Sequence, residues 1–488
     1  MTPPIVGVLL FRRDLRLGDH AALTAASQEC DKLIPLYVLD ETAARPAGAA
    51  TKWWLHENLR QLETALRQRG SGLAYAENDT CEMLSHLAQS ADVTRIYLQH
   101  DAEPQALALE TRIHDWAMSA GIDVRRFAGQ TLLSPTNIAT QQGKPYQVFT
   151  PFWRAAQSQI SAERLLSIPS TLPPLPDLLP TTTLVDLPLL PCGEGQWTNG
   201  LARSFIPGEA AALKVLDRFI HEDLRGYAAH RDRPDMPRGT SRLSPYLAIG
   251  CISPRTVWRR ISDAIDHDPS LSPDGAVFLK EIGWREFSHH LLYHFPFLPT
   301  TPLRQYFSSF PWRSTARMPD AARDLRAWQQ GLTGFPIVDA GMRELWKTGW
   351  MHNRVRMIVA SFLVKELLIH WQEGEAWFWD TLVDADPASN VANWQWVAGC
   401  GADAAPYFRI FNPVLQGRKF DPEGDYVRAF VPELRQLPAK YIHTPHEAPP
   451  HILQEAGIKL GTDYPPPLVD RTRARARALN AFKSLNDG

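Results

Sequence analysis

The sequence predicts a parallel-sheet α/β domain of the Rossmann-like kind, a long Pro-rich connector and an all-helical domain. Three observations lead there. Apolar runs alternate with helical patterns over residues 5–130, prolines crowd residues 163–195, and from Gly208 onward apolar residues recur at helical spacing. The 488 residues exceed what one hydrophobic core usually serves. The expected boundaries are 1–133, 134–205 and 206–488.

Each element has its own signal. Ile5–Phe11 and Leu33–Leu39 are apolar runs with the length of buried strands, and Ala21–Ser27 between them reads as helix. Trp53–Gln68 follows as a long helix with Trp54, Leu55, Leu59, Leu62 and Leu66 on its apolar side. Arg95–Leu98 and Val124–Phe127 are further strands around a helix near Gln105–Ala120. Strand, helix, strand in repetition implies a parallel sheet covered on both faces. No G-x-G-x-x-G follows the first strand, and no G-x-x-x-x-G-K-[ST] occurs, so the usual dinucleotide and triphosphate cradles are missing. Arg12-Arg13-Asp14-Leu15-Arg16-Leu17 stands there instead. In the connector, Pro169, Pro173, Pro174, Pro176, Pro180, Pro188 and Pro191 favour extended chain that wraps over the surface. Beyond it, Glu209–Phe219 is amphipathic, and Val355, Ile358, Val359, Phe362 and Leu363 fall on one helix face. No strand is expected after residue 200.

Composition narrows the class. The charge balance, 51 − 53 = −2, excludes a globally basic nucleic-acid binder, so any DNA contact must use a local patch. No apolar run approaches a membrane span, and the N-terminus lacks the basic region of a secretory signal. Five scattered cysteines without a C-x-x-C pair fit a reducing cytoplasm and offer no standard zinc site. The 16 tryptophans read as a large aromatic core, as stacking surfaces for bases or flat cofactors, or as stations for electron hopping.

Four constellations could carry chemistry. Gly239-Thr240-Ser241-Arg242-Leu243-Ser244-Pro245 reads as a helix N-cap or as a set of phosphate donors. Glu281, Trp284 and Arg285 share a helix face, as a surface ion pair over a packed indole or as a site for a planar anionic ligand. Gly349–Met357 opens a helix whose Asn353, Arg356, Met357 and Ala360 form a mixed face, unusual in a dry core unless Arg356 is paired. Asp384–Trp396 crowds two acids, three amides and two indoles. With no histidine cluster beside it, this stretch suits a hydrogen-bonded heterocycle better than a metal.

The motifs FRRDLRL, GTSRLSP, WREF, TGFPIVDA, GWMHNRVRM and NWQW…FRIFNP together resemble the photolyase/cryptochrome flavoproteins over nearly the whole chain. The resemblance implies a light-harvesting antenna role for the N-terminal domain and FAD bound in the helical one. Tyr227, Thr240, Ser241, Arg242, Leu243, Ser244, Arg285, Arg356, Asp384, Ala385, Asp386 and Asn390 match its cofactor positions. Arg356 is expected to pair with Asp384, and Asn390 to face flavin N5, where an amide can accept or donate.

Within the family the pattern favours repair of cyclobutane pyrimidine dimers, by electron transfer from excited, reduced anionic FAD to a flipped-out lesion. His352 is followed by Asn353, where enzymes for the (6-4) photoproduct carry a second histidine. Glu281, Trp284, Asn353, Arg354, Met357 and Trp396 match the lesion pocket, with Arg231, Arg409 and Gln416 at its DNA rim. Trp394, Trp371 and Trp312 match a relay that reduces oxidised flavin. Two departures loosen the substrate class. Val391-Ala392-Asn393 replaces a common Asn-Gly-Gly, and Phe278 stands where Trp is common.

Arg13, Asp40, Asp101 and Glu103 resemble an antenna site, with 8-hydroxydeazaflavin or FMN favoured over methenyltetrahydrofolate. The implied partner is UV-damaged DNA, single- or double-stranded, met by a monomer in a bacterial cytoplasm and at the nucleoid. The alternative of another class is a blue-light signalling flavoprotein. That alternative would carry a long polar tail, whereas only the basic Arg471–Arg477 segment follows the core.

Overall fold

A computed structural model describes residues 3–485 except 43–44, 161–163, 178–181, 191–196 and 404–407. Pro180, Pro191 and Cys192 lie outside the described residues. The chain forms two compact units. The first holds residues 1–225, 241–296 and 383–388, and the second holds residues 226–240, 297–382 and 389–488.

In the first unit, β1 (Val6–Phe11), β2 (Lys32–Leu39), β3 (Ala74–Glu77), β4 (Val93–Gln99) and β5 (Asp123–Phe127) form one parallel sheet in the order β3-β2-β1-β4-β5. The expected parallel sheet is therefore present. The short strand β3 and the helix Thr80–Ala91 after it were not legible in the apolar pattern. β3 offers only four residues, Ala74-Tyr75-Ala76-Glu77, with two alanines among them. Four crossover helices pair with the strands: α1 (Ala21–Glu29), α2 (Ala49–Arg67), α3 (Thr80–Ala91) and α4 (Pro104–Ala120). Val8, Leu10, Ile34, Leu36, Ile96, Leu98, Leu84 and Ile113 make the core between sheet and helices. The strand order reverses between β1 and β4, and this is the place where open α/β sheets take their ligands.

The connector binds to the sheet rather than floating. Pro174 O accepts from Leu33 N, Arg69 O from Leu172 N, and Tyr75 O from Thr182 N. The first unit thus continues beyond residue 133 and beyond 205. It includes α5 (Phe149–Gln157), α6 (Thr198–Ser204) and α7 (Glu209–Arg218).

The remaining helices, in chain order, alternate between the units. α8 (Tyr227–His230) belongs to the second. α9 (Ser244–Ala248), α10 (Pro254–His267) and α11 (Ser272–His294) belong to the first. The second unit continues with α12 (Pro319–Gln330), α13 (Pro336–Thr348), α14 (Asn353–Ser361) and α15 (Trp371–Thr381). α16 (Pro387–Ala398) starts in the first unit and runs on in the second. α17 (Pro413–Phe420), α18 (Asp425–Phe430), α19 (Pro450–Glu455) and α20 (Arg471–Lys483) complete the second. Among the described residues every named strand precedes residue 128, as expected. The basic segment Arg471–Arg477 is part of α20, where Arg471 bonds Glu366 Oε1 at 3.1 Å and Arg477 bonds Glu366 O at 2.7 Å. No described helix is long and apolar enough to cross a membrane.

Candidate functional site

In the first unit the loop after β1 is a dense ionic knot. Arg12 donates to Glu110 Oε1 at 2.7 Å and to the carbonyl of Gln99 at the end of β4. Arg13 donates to Ala248 O from Nε and Nη2 (3.0 and 2.7 Å), and to Asp386 Oδ2 at 2.7 Å. Its Nη1 lies 3.8 Å from Glu103 Oε2. His289 Nε2, on α11, stands 3.4 Å from the same Asp386 oxygen. Burial works to raise the pKa of Asp386, but His289 and Arg13 outweigh it and hold the carboxyl well below its usual range. Glu103 goes the other way. Burial, then the charge of Asp101, push it up to about 7.

The expected antenna residues Arg13, Asp40, Asp101 and Glu103 each have partners within this unit. Arg13 serves Asp386 and Ala248. Asp40 accepts from the backbone and hydroxyl of Thr42 and of Thr80 (2.6–3.0 Å), which ties its carboxylate to the loop and the start of α3. Asp101 is buried and accepts from Glu103 N at 3.0 Å.

The Thr240–Ser244 run leads into the five-residue α9, which begins at Ser244 and whose N-cap, Leu243, makes no side-chain cap bond. The N-cap reading of this run is thereby corrected. Ser241 Oγ instead accepts from Leu243 N at 3.4 Å, Arg242 adopts φ +55 with its guanidinium over Phe205, and Ser244 is exposed. Within α11, Glu281, Trp284 and Arg285 are half-buried along one face. Trp284 lies flat on Phe149 of α5, with centroids 3.6 Å apart and planes 8° apart. Arg285 donates to Gln130 O at 2.9 Å. Asp384 and Ala385 are buried beside Asp386.

In the second unit, Asn390 on α16 points its amide nitrogen at Glu375 of α15, 2.7 Å from Oε1 and 3.1 Å from the backbone carbonyl. Both N–H bonds are used there, so Asn390 Oδ1 remains as an acceptor. Trp394, one turn further along α16, is buried against α15. A Cβ on Gly374 would overlap its indole, so the approach requires glycine. Trp371 begins α15 and is buried. His370 bridges it to the half-exposed Trp312, with ring centroids 5.6 and 5.2 Å apart. Trp394 also meets Phe378 at 5.0 Å and the buried Trp328 at 6.3 Å.

Arg356 donates from Nε to Met351 O at 2.7 Å and lies over Trp350. His352 caps α14, accepting from Arg354 N at 3.1 Å, and burial lowers its pKa to about 4, so it is neutral. Arg354 is bound to Asp232 at 2.7 Å and lies over Phe420. Asn353 is exposed and Met357 half-buried on the same helix. Trp396 donates to Asp403 O at 3.2 Å. Arg231 lies over the ring of the buried Tyr227, Arg409 is exposed over Phe411, and Gln416 is half-exposed on α17. Thr240 is half-buried.

Sequence reasoning missed Glu375, Gly374, His289 and Phe149. Only His289 left a trace, in the pair His289-His290 just before Leu291-Leu292. Glu375 looked like any acid on a helix, and Phe149 like core.

Residues 7–176 match the family described as DNA photolyase, and residues 278–484 match the FAD binding domain of DNA photolyase. A deoxyribodipyrimidine photo-lyase of Agrobacterium fabrum is 46% identical over 485 residues, covering 99% of this chain and 98% of that protein. Cryptochrome-2 of Arabidopsis thaliana is 36% identical over 98% of this chain and 79% of its own length. Among solved structures, a bacterial class III photolyase from Agrobacterium tumefaciens superposes with a TM-score of 0.95 at 45% identity, covering 100% of this chain and 99% of that one.

Proposed function

Because this chain belongs to the photolyase/cryptochrome family, we propose that it is a light-driven enzyme that splits cyclobutane pyrimidine dimers in DNA with FAD as resident cofactor. The observation that carries this reading is the α11 face of Glu281 and Trp284, in a chain 46% identical end to end to a deoxyribodipyrimidine photo-lyase.

The residues present fit a flavin by their donor chemistry. Buried carboxylates at Asp384 and Asp386 can accept from ring or ribose donors. Asn390, pinned by Glu375, offers an oxygen that accepts an N–H, which suits a reduced flavin with a protonated N5. Tyr227, Thr240 to Ser244, Arg285, Arg356 and Ala385 complete the proposed binding set. When bound, FAD supplies light absorption and a one-electron donor.

The protein's own residues supply the rest. Glu281 accepts from the N–H edge of the flipped pyrimidine pair, and Trp284, Trp396 and Met357 give it apolar walls beside Asn353. Trp394, Trp371 and Trp312 bring electrons inward to restore the reduced cofactor. Arg231, Arg354, Arg409 and Gln416 hold the DNA backbone, which for Arg354 means exchanging Asp232 for a phosphate. A second chromophore belongs to the same proposal. The acids Asp101 and Glu103 favour 8-hydroxydeazaflavin or FMN over methenyltetrahydrofolate, and mass spectrometry of the material released on denaturation distinguishes the three. The protein acts as a monomer.

The test is illumination of reduced protein with dimer-containing single- or double-stranded oligonucleotides. Base absorbance near 260 nm should be restored in the light and stay unchanged in the dark. No restoration, with flavin present, would favour the second reading. That reading is a blue-light signalling flavoprotein, and it rests on the 36% identity to plant cryptochromes across nearly the whole chain.

A further inference from the structure

The switch point of an open parallel sheet normally receives a ligand at the carboxyl ends of the strands. Here the chain fills that place with its own charges. Arg13 leaves the end of β1, and Asp101 and Glu103 leave the end of β4. The Arg13 carbonyl is held by Gln130 Nε2 at 2.8 Å. Gly250, at φ +74, presses so closely on the Arg13 backbone that a Cβ would overlap it. The guanidinium is thereby aimed at two acceptors, the carbonyl of Ala248 and the carboxylate of Asp386.

From this geometry we propose that Arg13 is a positioning residue for Asp386, so that the sheet's switch point serves the flavin pocket. The proposal deepens the FAD reading and rests on it. Asp386 reaches this place from the short segment 383–388, which joins α15 to α16. A buried carboxylate needs a fixed counter-charge. Arg13 gives one in a short hydrogen-bonded pair, and His289 stands on the same oxygen. The charged groups around this pair are Glu103 and Asp101 after β4, Arg12 after β1, and Arg285 and His289 on α11. Glu103 competes with Asp386 for Arg13, from 3.8 Å.

An Asp386 carboxylate stripped of Arg13 adds uncompensated negative charge beside the flavin. That opposes the anionic reduced form more than the neutral oxidised form. Removing the negative charge of Glu103 does the reverse.

The test uses the full chain with its flavin, equilibrated anaerobically with a redox dye at fixed potential and pH 8. Arg13→Gln should lower the ratio of reduced to oxidised flavin about tenfold against wild type, and Arg13→Lys should recover most of it. The absorbance of any second chromophore, relative to flavin, should be unchanged in both. Where Arg13→Gln fails to fold by circular dichroism, Glu103→Gln decides, since it should raise the ratio. Ratios within twofold of wild type in the folded variants would overturn the proposal. So would loss of a second chromophore with the flavin ratio intact. A wild-type chain that carries no flavin would remove the FAD reading itself, and this proposal with it.

Discussion

The two units treat buried ionisable groups in different ways. In the first, two arginines are held in ion pairs, Arg12 with Glu110 and Arg13 with Asp386, while burial pushes His290 down to about 4. In the second, burial is the chief cause of the shifts at two histidines and a lysine. His352 and His443 are pushed down to about 4, and Lys365, over the ring of Phe408, to about 7. Aromatic rings lie beside two of these groups, Trp350 by His352 and Phe408 by Lys365. Fixed charge suits holding a polar, redox-active group at a chosen potential. Neutral aromatic surroundings suit moving an electron, because little solvent or counter-ion must reorganise around it.

The contrast breaks most sharply at Trp394. Trp394→Phe should slow photoreduction of oxidised flavin by at least about a hundredfold, from the steep exponential dependence of rate on barrier height. Phenylalanine keeps a ring but is much harder to oxidise. Repair with chemically reduced protein should be retained. Transient absorption of the variant checks both, and normal photoreduction would take Trp394 off the path.

On the first unit's side the matching change is Glu281→Ala. Losing the carboxylate leaves N–H groups of the lesion without a partner, at a cost of about 1–3 kcal/mol, or roughly tenfold to a hundredfold in affinity for dimer-containing DNA. On the proposed reading undamaged DNA stays out of the pocket, so its affinity should hold. Parallel titrations with damaged and intact oligonucleotides compare the two. Equal affinities in wild type would sink the repair reading, and preserved discrimination in the variant would remove only Glu281.

How far the sequence could be read follows the same division. The parallel sheet was legible because β1 and β2 are continuous apolar runs, and the helical second half because Val355 to Leu363 repeat at helical spacing. The short β3 carried too little apolar signal. The motif residues were found, but not what holds them. Arg13 was visible in FRRDLRL, yet its partner Asp386 lies 373 residues away, and no local pattern encodes that distance. Glu375 and Gly374 show the same limit. Their meaning comes from α15 packing against α16, a tertiary fact. Gly374 in particular was silent in the sequence, as a single glycine inside a helical stretch.

Gly374→Ala sharpens the comparison at lower cost. The added methyl overlaps the Trp394 indole, and overpacking a filled site costs about 1–3 kcal/mol. Denaturant unfolding monitored on the helical signal should show the loss. The flavin photoreduction rate should also change, because the indole must move. An unchanged rate with reduced stability would mean that Gly374 matters only for packing.

The smallest effect is a pair of opposite pH dependences, one from each unit. His352 has a folded pKa of about 4 against 6.5 for an unperturbed histidine, with burial as the chief cause. Between those values the unfolded chain binds the proton and the folded chain does not, so stability falls as pH falls through this window. From pH 6 to pH 5 the loss from this one group is roughly 1 kcal/mol. Glu103 works in reverse. Its folded pKa is about 7 against 4.5, raised first by burial and then by Asp101. The stability it contributes is complete below 4.5 and is lost as pH rises through 7, by roughly 1 kcal/mol between pH 6 and 8. His352→Asn keeps an acceptor for Arg354 N at the start of α14 but removes the titration, so it should flatten the acid limb only. Glu103→Gln should flatten the alkaline limb only. Denaturation midpoints measured at pH 5, 6 and 8 separate the two. Both limbs unchanged in both variants would mean that other groups set the pH profile, and that the contrast in buried charge between the units has no weight in stability.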